Sequence, residues 1–324
     1  MAMKLCFHTL IAKGFCCFCG ADLTQPLVPE PQTQEDPFEY KKLTLFVDLD
    51  HTLIHSTRHK DLKSGKSVVR TSIRPHCIRF LESMSKLYEM HVITLAGKGY
   101  AQKIVKELDP EERFFGGRLI ARNKLGSTDC KTKKLRKLFP SGLKYTAIID
   151  DRWDVWDYMD NVVQVRMYEC YWRPGDPGKP KEDDVLLHME RVLTEVHQRF
   201  YSNYETSGEF LDLKAIIGEY RRSVLKSVRV VLSGREQMEE DKKTAVTDAL
   251  TIFGAELQAT VTSDTTVVIE MAEDKKIRTQ AEGAGVPVVG LHWLRAVTDQ
   301  WKRVDFDGFM LGATVPVEEK IVEF

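Results

Sequence analysis

Asp48 and Asp50 stand two residues apart at the end of an apolar run, Leu43 to Val47, and Thr52 follows at the same interval. In extended backbone, residues i and i+2 point the same way, so both acids can face one pocket. An apolar strand ending in paired acids places them at the carboxyl end of a parallel sheet, where such sheets open to ligand. The spacing suits aspartyl-phosphate chemistry. Asp48 would attack phosphorus and, with Mg²⁺ present, Asp50 would pass protons to and from the ester oxygen. Paired acids are also common in loops and metal sites, so the rest of the chain has to decide.

Two further apolar runs end in polar groups. Met90 to Ile93 leads into Thr94, and Tyr145 to Ile149 leads into Asp150 and Asp151. Between them Thr132 to Pro140 reads as a basic helical segment stopped by proline. Each piece fits phosphoryl transfer, where positioning and charge neutralisation dominate. The Thr94 hydroxyl can hold a non-bridging phosphate oxygen, and the Lys133 ammonium can offset the charge on the phosphoryl group. A carboxylate at the last strand end can complete an octahedral Mg²⁺ site that keeps several waters.

In this order the four blocks resemble the haloacid-dehalogenase superfamily. More narrowly, Phe46–His55, Glu89–Ala101 and Ile148–Trp156 resemble the core of the Fcp-type RNA polymerase II C-terminal-domain phosphatases, from about Phe38 to Phe200. The resemblance implies Asp48 as nucleophile and Asp50 as general acid and base, the main-chain carbonyl of Asp50 also facing the metal. It implies Thr94 and Lys133 as phosphate-binding groups. The Mg²⁺ or Mn²⁺ residues are then Asp48, Asp50, Asp150 and Asp151, with Asp151 the better candidate for direct contact. Lys131, Lys134 and Lys137 are close by; Lys133 is preferred because it leads the Leu135–Leu138–Phe139 pattern as the family's lysine does. The competing reading is a solvated helix face or a nuclear-import patch. The chain departs from the family in two places. Lys98 stands where Arg is usual, keeping the charge without the two-pronged geometry, and Arg74-Pro75-His76 stands where Arg-Pro-Gly is usual. The substrate implied is the phosphorylated C-terminal domain of RNA polymerase II, with the transcription machinery as partner and the nucleus as location.

The composition agrees. A chain of 324 residues has room for two domains and short extras, and 43 % hydrophobic content supports real cores. A formal charge of -1 argues against general nucleic-acid binding by field, so direct DNA binding is not expected. No apolar run reaches the ~18 residues of a membrane span. His8 and Lys13 interrupt the mildly apolar N-terminus, and no small-residue cleavage site follows, so a soluble, intracellular protein is expected.

Seven cysteines in such a protein read as thiols or metal ligands, and four crowd the start. Cys6 and His8, followed by Cys16 and Cys19, offer a tetrahedral set for Zn²⁺, and Gly20 suits the tight turn of the knuckle. Fcp-type phosphatases often carry a similar element. The alternative is a set of unligated thiols on a short hairpin. Cys17 is not expected to be a ligand.

The expected organisation is a zinc-knuckle-like element over residues 1–25, a proline-rich linker over 26–37, and a haloacid-dehalogenase-like parallel α/β domain over 38–172. Linker and bridging helices follow over 173–222, then a smaller α/β domain over 223–324. Leu186, Val192, Leu193, Val196 and Phe200 share one face of the expected bridging helix. Only some forty residues separate Asp48 from Thr94, leaving little room for a large cap, so an open site for a phosphorylated side chain on a flexible peptide is favoured. In the last segment, Val228–Gly234, Lys242–Phe253, Glu256–Val261, Thr265–Ile269, Val286–Gly290 and the helix starting at Leu291 alternate strand and helix. With Gly254-Ala255 and a core Trp293, the pattern resembles a BRCT module. Such modules often bind phosphopeptides; Ser233 and the Gly234 amide match one half of that pocket, and Lys276 lies one residue out of spacing for the other. A docking or scaffold role is therefore preferred. Three functions compete: a polymerase-tail phosphatase, a phosphatase of another phosphoprotein or small molecule, and a catalytically silent adaptor, which the intact acids oppose.

Overall fold

The computed structural model describes residues 11–12, 15–16, 41–60, 67–122, 131–132, 135, 143–170 and 183–311. Cys6, His8, Cys19, Lys133, the 26–37 linker and the Pro-Gly segment after Arg173 lie outside the described residues. Cys16 falls in a short antiparallel pair, β1 (Ile11–Ala12) and β2 (Phe15–Cys16). The chain divides into two compact units, Met1–Ile217 and Gly218–Phe324.

The first unit is built on five parallel strands in the order β7-β6-β3-β8-β9. These are β3 (Leu43–Val47), β6 (Tyr88–Ile93), β7 (Leu119–Ile120), β8 (Thr146–Asp150) and β9 (Val162–Gln164). Parallel strands covered on both faces read as nearly continuous apolar runs, and β3, β6 and β8 are buried along almost their whole length. Phe46 sits in register with His91 and Ile148. Helices α1 (Cys77–Leu87) and α2 (Lys98–Leu108) flank β6 in the chain. The chain leaves β3 for β6 and β7 on one side, then returns to β8 and β9 on the other. The switch point is therefore the crevice beyond β3 and β8, where open parallel sheets bind ligands.

Between β3 and α1 lies a feature the sequence did not announce. β4 (Ile54–Lys60) and β5 (Ser67–Ile73) form a two-stranded antiparallel ribbon of their own. The expected bridging helix is also placed differently. α3 (Val185–Ser207) belongs to the first unit and packs against α1. Its stripe of Val185, Leu186, Met189, Val192, Leu193, Val196 and Phe200 is buried, and its Leu193 carbonyl accepts from the Tyr88 hydroxyl at 2.7 Å. The boundary between units falls inside α4 (Leu213–Ser223). Among the described residues no helix is long and apolar enough to cross a membrane.

The second unit has four parallel strands in the order β11-β10-β12-β13: β10 (Arg229–Ser233), β11 (Glu256–Gln258), β12 (Val267–Glu270) and β13 (Val288–Gly290). Helices α5 (Glu240–Ile252), α6 (Lys275–Ala284) and α7 (Leu291–Gln300) connect and cover them. Trp293 is fully buried with its indole N–H given to the Val304 carbonyl at 2.8 Å, the core role expected of it. Gly254 has φ +94, and a Cβ there would stand 2.0 Å from the Arg222 carbonyl oxygen, so only glycine fits.

Candidate active site

Two strand ends meet at the switch point. Asp48 follows β3 and is 6 % exposed; its N–H donates to the Ile149 carbonyl at 3.1 Å. Asp150 closes β8, and Asp151 follows it. Ligand oxygens of Asp48, Asp150 and Asp151 lie within 4.8 Å of one another. Into this cluster comes a lysine, but it is Lys131. Its Nζ donates to Asp48 Oδ1 and to Asp150 Oδ2, each at 2.5 Å. The ammonium lies 5.4 Å from the centre of the Trp156 ring, whose indole N–H also donates to Asp150 Oδ2 at 2.7 Å.

Lys131 is fixed from behind as well. Its backbone N–H donates to the Val155 carbonyl at 2.7 Å, and its carbonyl accepts from the N–H of buried Leu135 at 3.3 Å. Residues four apart share a helix face, so Lys131 lies over Leu135 and points inward with it. Lys133, the lysine expected from the apolar pattern, lies outside the described residues.

The charges are crowded. Burial pushes the Asp48 carboxyl well above its ordinary range, Lys131 pulls it back, and Asp150 and Asp151 add to the rise. The Asp151 carboxyl is pushed up to about 6, first by burial and then by Asp150. Burial works against charge on Lys131, but Asp150 and Asp48 overcome it and hold the ammonium above its ordinary value. Three carboxylates face one ammonium, so a second positive charge would relieve the repulsion left among them. The donors are all oxygen, which suits a hard divalent cation such as Mg²⁺ or Mn²⁺.

The Asp50 carboxylate stands apart from that cluster. Its Oδ1 accepts from the Tyr100 hydroxyl at 2.6 Å, at the first turn of α2. It is therefore not among the three clustered carboxylates; as a metal residue it has only its main-chain carbonyl to offer. Thr94 is buried one residue beyond the register of Asp48, and its Oγ1 accepts from Ala96 N–H at 3.0 Å. That bond leaves the hydroxyl proton available to an oxygen in the crevice.

Behind the acids is a supporting layer. Thr52 Oγ1 accepts from Asp151 N–H at 3.0 Å and lies 3.3 Å from Asp151 Oδ1, tying the first acidic loop to the last. Arg74 is 1 % exposed, grips Asp183 through two bonds of 3.1 Å, and donates to the Thr52 carbonyl at 3.1 Å. His76, where glycine is usual in the family it resembles, has φ 62 and ψ 7, the left-handed conformation that favours glycine. Lys98 is exposed at the start of α2 and lines a groove of about 520 Å³ with Gln102, Val105 and Lys106; none of the clustered carboxylates lines that groove.

In the second unit Ser233 is buried beside Glu270, its partner in register, and Glu270 Oε2 accepts from Arg278 at 2.5 Å. Lys276 is exposed, and the neighbouring Ile277 turns into the core instead. Among the described residues no hydrogen bond or ion pair joins Ser233 to Lys276. A carboxylate beside Ser233 does not favour a phosphate there.

Residues 43–203 match the family model described as NLI interacting factor-like phosphatase. A Caenorhabditis elegans protein named as a C-terminal domain phosphatase of RNA polymerase II is 32 % identical, over 94 % of this chain and 56 % of its own length. The Homo sapiens protein of the same name is 36 % identical over 54 % of this chain and 23 % of its length. The chain thus spans little more than half of the first relative and less of the second. The solved structure of Fcp1, described as an essential RNA polymerase II CTD phosphatase, superposes with a TM-score of 0.67 at 26 % identity, covering 84 % of this chain and 97 % of that one. The acids that close β3 and β8 thus sit on a matching fold within a matching sequence, and the chain belongs, through residues 43–203, to the NLI interacting factor-like phosphatase family.

Proposed function

We propose that this chain is a Mg²⁺- or Mn²⁺-dependent protein-serine/threonine phosphatase that works through an aspartyl phosphate on Asp48. The substrate is the phosphorylated C-terminal domain of RNA polymerase II, and the place of action is the nucleus with the transcription machinery. The observation that carries the chemistry is Lys131 Nζ seated between Asp48 and Asp150, with Asp151 beside them. The names of the relatives support the substrate.

In the first step an Asp48 oxygen attacks phosphorus, and the ester oxygen leaves with a proton from Asp50. In the second, Asp50 takes a proton from water as that water attacks phosphorus, releasing phosphate and restoring Asp48. Lys131 offsets charge on the nucleophile and the phosphoryl oxygens, and the Thr94 hydroxyl donates to one of them. Asp48, Asp150 and Asp151, with the Asp50 carbonyl, would hold the divalent cation, which when bound neutralises the crowded acids and the phosphoryl oxygens. A zinc on Cys6, His8, Cys16 and Cys19 belongs to the same proposal as a structural element. The second unit serves as a docking or scaffold module.

Beryllium fluoride should trap on Asp48, and Asp48→Asn should abolish turnover of an aryl phosphate and of phosphoserine repeat peptides. An adduct on another side chain would refute the nucleophile. Turnover of the aryl phosphate without any preference for repeat peptides over unrelated phosphopeptides would keep the chemistry and discard the substrate.

A further inference from the structure

The Tyr100 phenol does more than touch Asp50. It lies 2.6 Å from Asp50 Oδ1 and 2.7 Å from Ser56 Oγ, and Ser56 Oγ lies 2.8 Å from Thr71 Oγ1. Ser56 and Thr71 face each other across the β4–β5 ribbon as a register pair. Four side chains from separate segments therefore make one unbroken chain of hydrogen bonds, running from the ribbon to the acid.

Proton counting sets its direction. A phenol has one proton and a carboxylate oxygen can only accept, so Tyr100 donates to Asp50 Oδ1 and must accept from Ser56. Ser56 has then spent its own proton, so Thr71 donates to Ser56. Every hydroxyl points toward the acid, and bonds aligned in this way polarise one another.

We propose that Ser56 and Thr71 are positioning residues for catalysis: through Tyr100 they hold the Asp50 carboxyl in place and reserve its Oδ1, so that the proton delivered to the leaving oxygen is carried on Oδ2. The ribbon thereby becomes part of the catalytic apparatus although none of its residues touches phosphorus. The proposal rests on the assignment of Asp50 as general acid. It goes beyond that assignment in naming which oxygen carries the proton and what holds it.

Leaving groups provide the test. A serine alkoxide needs a proton as it departs, whereas an activated aryl phosphate releases a phenolate that does not. The measurement is kcat/KM, which reports the steps up to transfer onto Asp48, for a phosphoserine peptide and for an activated aryl phosphate, on the full chain with Mg²⁺. Ser56→Ala should lower kcat/KM for the peptide by about fivefold or more, the effect of one functional hydrogen bond, with a distinctly smaller loss on the aryl phosphate. Thr71→Val should follow the same pattern more weakly, and Ser56→Thr, which keeps the hydroxyl, should recover most of the peptide activity. Equal losses on both substrates, or no loss on either, would overturn the proposal. Thr71→Val provides the same comparison if Ser56→Ala folds poorly. A wild-type chain inactive on both substrates would instead defeat the phosphatase reading, so the two failures remain distinct.

Discussion

Replacing Lys131 by methionine tests the site at its most exposed assumption. Methionine keeps most of the side chain's length and apolar stem and removes only the ammonium. That ammonium makes two contacts of 2.5 Å to carboxylates, and its side chain is 3 % exposed, so solvent cannot replace what is lost. Removing one member of a buried ion pair costs about 3–5 kcal/mol. The low end applies here, because the carboxyls left behind can take up protons. The sign of the pH dependence follows. In the wild type the Lys131 pKa is raised above 10.5, so its contribution is fully present below that pH and is lost only as pH rises through the higher folded value. In Lys131→Met the Asp48 carboxyl, already raised by burial, loses the ammonium that pulls it back and is raised further, so stability falls as pH rises. Urea unfolding in chelator should therefore show a deficit of about 3 kcal/mol at neutral pH that shrinks toward pH 5. Turnover with Mg²⁺ should fall about 10²- to 10³-fold or more, the usual loss of a charge-stabilising group. Lys133→Met should leave both properties near wild type. A Lys131→Met chain of normal activity, beside an inactive Lys133→Met chain, would refute the placement.

Other outcomes can be measured alongside. Metal binding should depend on pH, because the Asp151 carboxyl is pushed up to about 6 and must be deprotonated to serve as a ligand; titration calorimetry should find Mg²⁺ affinity flat above neutrality and falling as pH drops through 6, and a constant affinity down to pH 5 would contradict it. At the left-handed position of His76, glycine should be more stable than alanine by about 1 kcal/mol, since only the L residue is strained there; equal urea midpoints for the two variants would show that the strain is absent. Arg74→Lys should not replace Arg74, because one ammonium cannot span both Asp183 oxygens and also hold the Thr52 carbonyl; the expected result is a loss of turnover with a lowered melting temperature, and a fully active variant would remove Arg74 from the support of the acidic loop.

Much of the site was legible because buried parallel strands leave an unambiguous trace. β3, β6 and β8 read as apolar runs, and the residue closing each run is where a ligand would meet the sheet. The lysine was less legible because several lysines crowd one short segment and the apolar pattern alone does not choose among them. Lys131 stands four residues before Leu135, the spacing that sets two side chains on one helical face, and both are buried. That spacing was the available signal. The role of Tyr100 is invisible to an apolar pattern, since periodicity registers the ring and is blind to the hydroxyl. The β4–β5 ribbon escaped for a related reason. One face of its central rungs carries Ser56 opposite Thr71, so no alternation of apolar residues marks it, and the bonds that seat it at the site are made by hydroxyls. For α3 the amphipathic stripe was plain, but a stripe says only that a surface will be covered. The hydrogen bond from Tyr88 to Leu193 and the packing on α1 identify which one.

The crowding at the switch point runs against what stability alone would select. Two buried carboxylates and a half-buried third, facing one ammonium, raise the free energy of the folded chain, in keeping with the upward shifts of Asp48 and Asp151. Apolar residues at the same strand ends would remove that penalty, and local rules broken without structural gain are expected where a protein works. What the arrangement provides instead is an unmet demand for positive charge at one point. Lys131 meets part of it permanently. The remainder can be met by a divalent cation, and the phosphoryl group is then drawn to cations already held in place by the fold. Asp50 stands outside this balance, bonded to a phenol and not to the ammonium. In the proposed mechanism that separation lets one acidic motif supply two different carboxyls: one held among cations as a nucleophile, the other held by hydroxyls and left to exchange a proton.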